Sequence, residues 1–565
     1  MKGEVRRSQL ITTYGVGSIV AVEDEAVMVA GIDRWRVDGP NMHEPRLEHE
    51  LRVQGFVLPP ATERGEDIPV VRFPEMHSCP ECRTLAPHRH FTTFAGRECN
   101  ACGSTLVPSR FVVACDKGHI DDFPYFRWVH AGSLPKTEAH HGLRLEAGGA
   151  TASLADIRIT CECGESKTME GTFGRRALSG VAKCTGRRPW LGGPSEDCGE
   201  IPRTLQRGAS SVWFPVVRSA LSIPPWSEGA FAVLNRHWAV LRHVEESGIV
   251  GVINGLQLPE RTGYSADELL EAVRLRKHRE AAPAEEPLRP QEYDALMRGR
   301  PDDGSESDFV CDPADLDSSL KETFGQVMVA KRLREVRVLE SFTRIFPPSP
   351  ADRPERRAPI FDSHPGWLPA IEVRGEGVFL KLDDELVHKW EISREVKDRA
   401  EKINRNYVKR ARDVGSSPDR EITPRLVGVH TLAHVLINQW SLDSGYPAAS
   451  LRERLYVDER MAALLIYTAT SDSAGSLGGV AAQARSTVLA FSTREALRRT
   501  AWCSADPLCV EAEAAGVDSL NLAACHACVL LPEVSCEESN MLLDRALLVG
   551  TPEDKRVGLL SHLLE

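Results

Sequence analysis

The sequence predicts a multidomain protein of mixed α/β and α+β class. Three observations carry that expectation. At 565 residues the chain is too long for a single hydrophobic core, so about three or four domains are expected. Its composition, 42% apolar and 27% charged, is that of an ordinary globular protein. Its 15 cysteines fall mostly in close-spaced groups, in the N-terminal half and again between Cys503 and Cys536. No run of about 18 apolar residues occurs, so no membrane span is expected, and Met1–Arg7 lacks the apolar stretch of a secretory leader. Paired cysteines without such a leader point to metal sites in a reducing cytoplasm rather than to disulfides.

Residues 1–72 read as a β-rich domain. Tyr14–Val22 and Ala26–Ala30 are apolar runs punctuated by glycine, with Glu23-Asp24-Glu25 as the turn between two strands. The glycines Gly15 and Gly17 are not followed by Lys-Ser/Thr, so the segment is no Walker A loop, and a turn role suits them better. Residues 73–215 hold the clearest signal in the chain. Cys79-Pro80-Glu81-Cys82 and Cys99-Asn100-Ala101-Cys102 stand sixteen residues apart. In a CxxC pair one tight turn aims both thiolates at one ion, and two such pairs at this distance fit a zinc ribbon. Cys161, Cys163, Cys184 and Cys198 form a looser set that would close a second four-cysteine site. Cys115 and His119 are either ligands themselves or parts of a loop in which His119 bonds an aspartate.

Residues 216–345 read as mainly helical, with helices expected over Phe231–Glu246 and Ala266–Lys277 and a polar, proline-rich loop over 279–308. Periodicity does not choose between helix and strand for Val327–Leu339. The prolines of Phe346–Pro354 mark a boundary, and 360–565 forms the last domain. There Val378–Leu382 and Ala462–Thr470 are expected strands, while Arg394–Arg412 and Leu426–Trp440 are expected helices. His430 and His434 stand four residues apart on one helical face. They could clamp zinc or serve as core imidazoles, and Thr431 stands where an HExxH site would carry its glutamate. The glycine-rich turn Ser471–Val480 follows, as an anion cradle or a plain connection. Cys525 and Cys528 form another CxxC pair. With Cys536, and with Cys503 or Cys509, they would complete a four-thiolate zinc site. Cys536 is expected to open a helix to Leu548 whose positive end favours its thiolate. The fold expectation therefore includes zinc-ribbon-like modules in the N-terminal half and a C-terminal α/β domain with a cysteine zinc site.

The net charge of −12 speaks against wholesale coating of nucleic acid, but its distribution is uneven. Lys167–Arg218 carries nine Lys/Arg against four Asp/Glu, and Arg394–Arg412 eight against three. Candidate phosphate contacts are Arg175, Arg176, Arg187, Arg188, Lys402, Arg405, Lys409 and Arg410. From Cys503 onward three Lys/Arg face eleven Asp/Glu, which suits a protein partner better than phosphate.

The strings Cys525-His526-Ala527-Cys528, Leu530–Glu533, Ser535-Cys536-Glu537 and Asn540–Arg545 together resemble the cysteine-bearing C-terminal domain of MrfA-type DEAD/DEAH helicases. Arg6–Ser18 and the loop Gly118-His119-Ile120-Asp121-Asp122-Phe123-Pro124 are similar to DrmB proteins of the DISARM anti-phage system. That resemblance implies a non-motor, non-enzymatic subunit, in the cytoplasm. It implies a partner helicase, DrmA, and contact with single-stranded DNA or a single-stranded end. The chain itself carries no Walker A or DEAD/DEAH motif. A scaffold without DNA contact, or a metal-dependent nuclease built on His430, His434 and Asp472, are the alternatives.

Overall fold

A computed structural model describes residues 4–61, 68–92, 96–133, 141–148, 153–281, 287–304, 307–348, 354–413, 416–468, 478–516 and 519–564. The chain divides into two compact units, each discontinuous in sequence. The first comprises residues 1–39, 57–218 and 338–371, the second 40–56, 219–337 and 372–565.

In the first unit, Ile19–Val22 and Glu25–Val29 form the expected antiparallel hairpin, with Glu23 in the left-handed conformation its tight turn requires. Gly15 and Gly17 serve close packing. A Cβ on Gly15 would lie 2.6 Å from Leu339, and one on Gly17, whose φ is +81°, would lie 2.4 Å from Phe342. Beside them Arg344, fully buried, donates to the carbonyls of Gly17, Gly118 and Val212 and lies against the rings of Trp190 and Phe342. An arginine can satisfy several carbonyls at once because its donors form a rigid planar fork. A six-stranded sheet runs in the order Ser166–Thr168, Ile157–Cys161, Leu143–Ala147, Thr84–Pro87, Met76–Ser78, Val107–Pro108. A three-stranded sheet orders Arg203–Gln206, Phe111–Ala114 and Ile120–Asp122. Most of this unit's cysteines sit in the turns and connections of these sheets, and Cys161 ends the strand Ile157–Cys161.

Leu368–Leu382, of which residues 372–382 fall in the second unit, Ala462–Thr468 and Leu451–Val457 are successive antiparallel strands, flanked on the other side by Phe324–Thr343, of which residues 324–337 fall in that unit. Phe324–Thr343 is one strand of 20 residues, which decides the ambiguity over Val327–Leu339. The helix Pro424–Ser444 lies on the strands Leu451–Val457 and Ala462–Thr468. Thr423 caps it by accepting the Leu426 amide, Pro424 occupies the first turn, and Gly445 ends it at φ +72°. It is buried almost all round, in a core that includes Leu432, Leu436, Trp440, Leu464, Ile466 and Leu548. Ala266–Ala281 and Arg394–Asp413 are helices as expected.

Three expectations are corrected. The stretch over 231–246 is two short helices, Gly229–Asn235 and Trp238–Leu241. The break turns Trp238 inward, where its indole donates to Glu280 at 2.6 Å and stacks under Arg276. Within the expected loop 279–308, Leu288–Arg298 is a helix, because Glu292 is held there by the buried Arg454 and Leu296 enters the core. No helix runs from Cys536 to Leu548. Ser539, Asn540 and Leu542 all have positive φ, which a right-handed helix forbids, and only Ala546–Val549 is helical.

Candidate metal centres

Cys79 follows the strand Met76–Ser78, and the two knuckles that carry it and Cys99 repeat the same backbone hydrogen bonds. Cys79 receives the Arg83 amide on its carbonyl and donates its own amide to Thr84. Cys99 does the same with Gly103 and Ser104. Arg83 and Gly103 both take the left-handed conformation, at φ 62° and 73°. The four thiols converge, with Cys79 Sγ 3.3 Å from Cys102 and Cys82 Sγ 3.9 Å from Cys99. Burial pushes the Cys79 thiol up to about 12, while its hydrogen bonds with Thr84 hold Cys82 down at about 6.

The looser set splits between two clusters, which corrects the expectation that Cys161, Cys163, Cys184 and Cys198 share one site. Cys184 and Cys198 meet Cys115 and His119. Cys115 and His119 flank the turn between Phe111–Ala114 and Ile120–Asp122, where Gly118 at φ +81° allows the reversal. His119 Nδ1 lies 3.4 Å from Cys115 Sγ and 3.6 Å from Cys184 Sγ, while its Nε2 meets Glu196 at 2.8 Å. That carboxylate fixes the ring so that Nδ1 faces the sulfurs. Cys161 and Cys163 meet His130 and His141, at 3.4 Å from Cys161 to His141 and 3.3 Å from Cys163 to His130. His130 Nδ1 lies 2.8 Å from the Phe126 carbonyl, leaving Nε2 for the cluster. His130 and His141 are unmarked in the sequence, because lone histidines far from a CxC pair carry no spacing signal.

At the C-terminus both Cys503 and Cys509 join Cys525 and Cys528, with sulfur separations of 3.5 to 3.8 Å. The amides of Ala505 and Cys525 point at the sulfurs of Cys503 and Cys528. Arg545 pairs with Asp506 and lies by Cys509, whose thiol is held at about 5, first by Cys528 and then by that guanidinium. Cys536 is not in this set. It lies against His430, His434 and Glu453, where burial and the Glu453 carboxylate raise its thiol rather than lower it. The helix end expected to lower it does not exist. Asp472 and most of Ser471–Val480 lie outside the described residues.

Of the basic candidates, Arg187 pairs with Asp121 and Glu75, and Arg188 with Glu196 and Asp362. Lys402 meets Glu513 at 3.3 Å. Arg175, Arg176, Arg405 and Lys409 are exposed, and Arg410 is half-buried.

Comparison with known proteins finds a relative along almost the whole length. The chain is 30% identical, over 96% of its residues and 99% of the relative's, to the DISARM protein DrmB of Bacillus paralicheniformis (strain ATCC 9945a / NCIMB 11709 / CD-2). The chain belongs to the DrmB family. Residues 6–214 match the family described as "Domain of unknown function (DUF8724)", and residues 432–529 match the "MrfA Zn-binding domain". The second match takes in Cys503, Cys509, Cys525 and Cys528.

The geometry fits zinc. A tetrahedron of thiolates about 2.3 Å from a central ion has edges of about 3.8 Å, and a disulfide needs about 2 Å. The sulfur contacts here span 3.3 to 3.9 Å, and all fifteen cysteines are free thiols. With the matched zinc-binding domain, these clusters make the chain a zinc-binding protein.

Proposed function

We propose that this protein is a zinc-bearing, non-catalytic subunit that partners a superfamily-two DNA helicase in restricting phage DNA, and that it engages single-stranded DNA or a single-stranded end. The observation that carries the reading is the full-length relationship to the DISARM protein DrmB. One zinc is assigned to Cys79, Cys82, Cys99 and Cys102, and a second to Cys115, His119, Cys184 and Cys198. A third is assigned to His130, His141, Cys161 and Cys163, and a fourth to Cys503, Cys509, Cys525 and Cys528. Each set fills all four positions of a tetrahedral ion. The zinc supplies a cross-link that holds loops in place, with no open position for substrate.

Two surface features support the contacts. From Lys402 to Arg412 five cations follow one another with no acid, and Arg405 and Lys409 of that helix are exposed. Such a row follows a phosphate backbone. Trp502 and Leu508, on the loop carrying Cys503 and Cys509, are 69% and 81% exposed. Large apolar side chains held out by a cross-linked loop suit a protein partner. A scaffold without DNA contact is the second reading, favoured by the ion pairs that engage Arg187, Arg188 and Lys402.

The test is to purify the protein with the helicase encoded beside it and to measure DNA-dependent ATP hydrolysis with and without it. A stable complex with raised hydrolysis is expected. Replacing Arg405, Lys409 and Arg410 with Ala should weaken DNA binding and flatten its salt dependence by about 0.7 per lost contact on single strands, leaving the complex intact. Unchanged DNA binding by that variant would select the scaffold. Failure to bind any helicase would overturn both readings.

A further inference from the structure

His430 and His434 project from the same face of the helix Pro424–Ser444 into the interior of the second unit. Glu453 faces them from the strand Leu451–Val457, and Cys536 from the loop beyond Val529. Four donor atoms, one from each residue, lie within 4.8 Å of one another. His430 Nε2 is 3.1 Å from Glu453 Oε1 and 3.2 Å from Cys536 Sγ, and His434 Nε2 is 3.6 Å from Glu453 Oε1. His430, His434 and Glu453 are completely buried and Cys536 nearly so. We propose that these four residues hold a further divalent transition-metal ion, zinc by the nature of the donors, in a closed structural site.

The shell around the cluster is built for an ion. His434 Nδ1 lies 3.0 Å from the Val529 carbonyl, which orients the ring and turns Nε2 inward. Among the described residues that inward Nε2 has no hydrogen-bond partner, and neither has the buried Glu453 Oε2. A buried, unsatisfied nitrogen such as His434 Nε2, turned toward Glu453 Oε1, is costly unless something binds it. Cys536 Sγ receives the amides of Glu538 at 3.3 Å and Asn540 at 3.2 Å, the arrangement that suits a thiolate. Glu453 Oε1 receives the Glu537 amide at 3.0 Å. Charge balances as well, since two neutral imidazoles, one thiolate and one carboxylate together offset a divalent cation. Mixed nitrogen, sulfur and oxygen donors are the set zinc accepts.

The site is structural, not hydrolytic. The protein supplies all four ligands, and burial leaves no route for a substrate. Thr431, which stands where a zinc hydrolase would carry its base, donates to the Val427 carbonyl and accepts the Asp544 amide. The ion joins helix, strand and C-terminal loop. Through Val529 it also braces the loop that carries Cys525 and Cys528. The competing occupant is a proton that turns His430 and Glu453 into a buried ion pair with a neutral Cys536 thiol.

Metal content of the full chain separates the two, by native mass spectrometry after chelator washing. Cys536→Ser and Glu453→Gln should each hold one ion fewer than the wild type, while Cys528→Ser, in the neighbouring cluster, removes a different ion. A folded Cys536→Ser protein with the wild-type metal count overturns the proposal. Should these variants fail to fold, cadmium-113 resonance of the substituted wild-type chain decides. A site with one thiolate, two imidazoles and a carboxylate gives a signal well upfield of the thiolate-rich sites. A spectrum holding only thiolate-rich signals overturns the assignment.

Discussion

At Asp122 opposing influences meet on one carboxylate. The amides of Glu75 and Met76 donate to it at 3.1 and 2.8 Å, which favours the charged form. Burial outweighs them and, with Asp121 and Glu75 adding repulsion, pushes its pKa up to about 7. The folded state therefore keeps this proton to higher pH than the unfolded chain does. The stability it contributes is fully present below pH 4 and is lost as the pH rises from about 4 to 7. Asp122→Asn, which mimics the protonated acid, should gain on the wild type by about 2 kcal/mol between pH 5 and pH 8. Thermal melting at the two pH values measures this, and an unchanged difference between the two proteins would refute it. Asp122 stands out in the sequence only as part of a family-like string, and its titration is invisible there. The same string leaves His119 between a loop role and a ligand role. The structure gives it both faces, one nitrogen on the thiols and one on Glu196. Glu196 lies 77 positions away, so no local pattern announces the pair.

At the scale of elements, spacing was a reliable guide where both halves of a feature are close in sequence. The knuckles around Cys79 and Cys99 are readable because each is a single turn. The stretch from Cys536 to Leu548 reads as a helix but is not one, since it takes the positive φ of three residues, none of them glycine, to see that a helix cannot form there. The knuckle symmetry also has a measurable consequence. Gly103 occupies the place that Arg83 fills in the first knuckle, and among the described residues no atom lies within 4 Å of where its Cβ would be. Gly103→Asn should therefore cost under about 1 kcal/mol. Gly17 shares the positive φ but not the space, because its Cβ would strike the Phe342 ring. Gly17→Ala should cost about 2 kcal/mol or more, combining backbone strain with overpacking. Equal melting temperatures for the two variants would show that the contact with Phe342 yields freely.

For the whole molecule, the discontinuity of both units is what the linear reading could not reach. Residues 338–371 join the first unit and 40–56 the second, so neither is a contiguous stretch. Long strands such as Phe324–Thr343 carry the chain onward, and hydrophobic pattern alone does not say where such a strand changes its neighbours. The same limitation explains the zinc assignment. Counting thiols groups Cys161, Cys163, Cys184 and Cys198 by proximity along the chain. In three dimensions Cys161 ends the strand Ile157–Cys161 and Cys163 lies in the turn after it, while the last two sit beside the Cys115–His119 turn. The two arrangements predict different metal counts. If one ion bound all four thiols, Cys161→Ser and Cys198→Ser would each remove it, and combining them would remove no more. In the assignment proposed here the two residues share no ion, so each single variant loses one and the double variant loses two. The losses should add because the sites have no ligand in common. Elemental analysis of the wild type, both single variants and the double variant distinguishes these outcomes. A double variant that has lost only one ion would restore the shared site and remove His119 and His130 from the ligand sets.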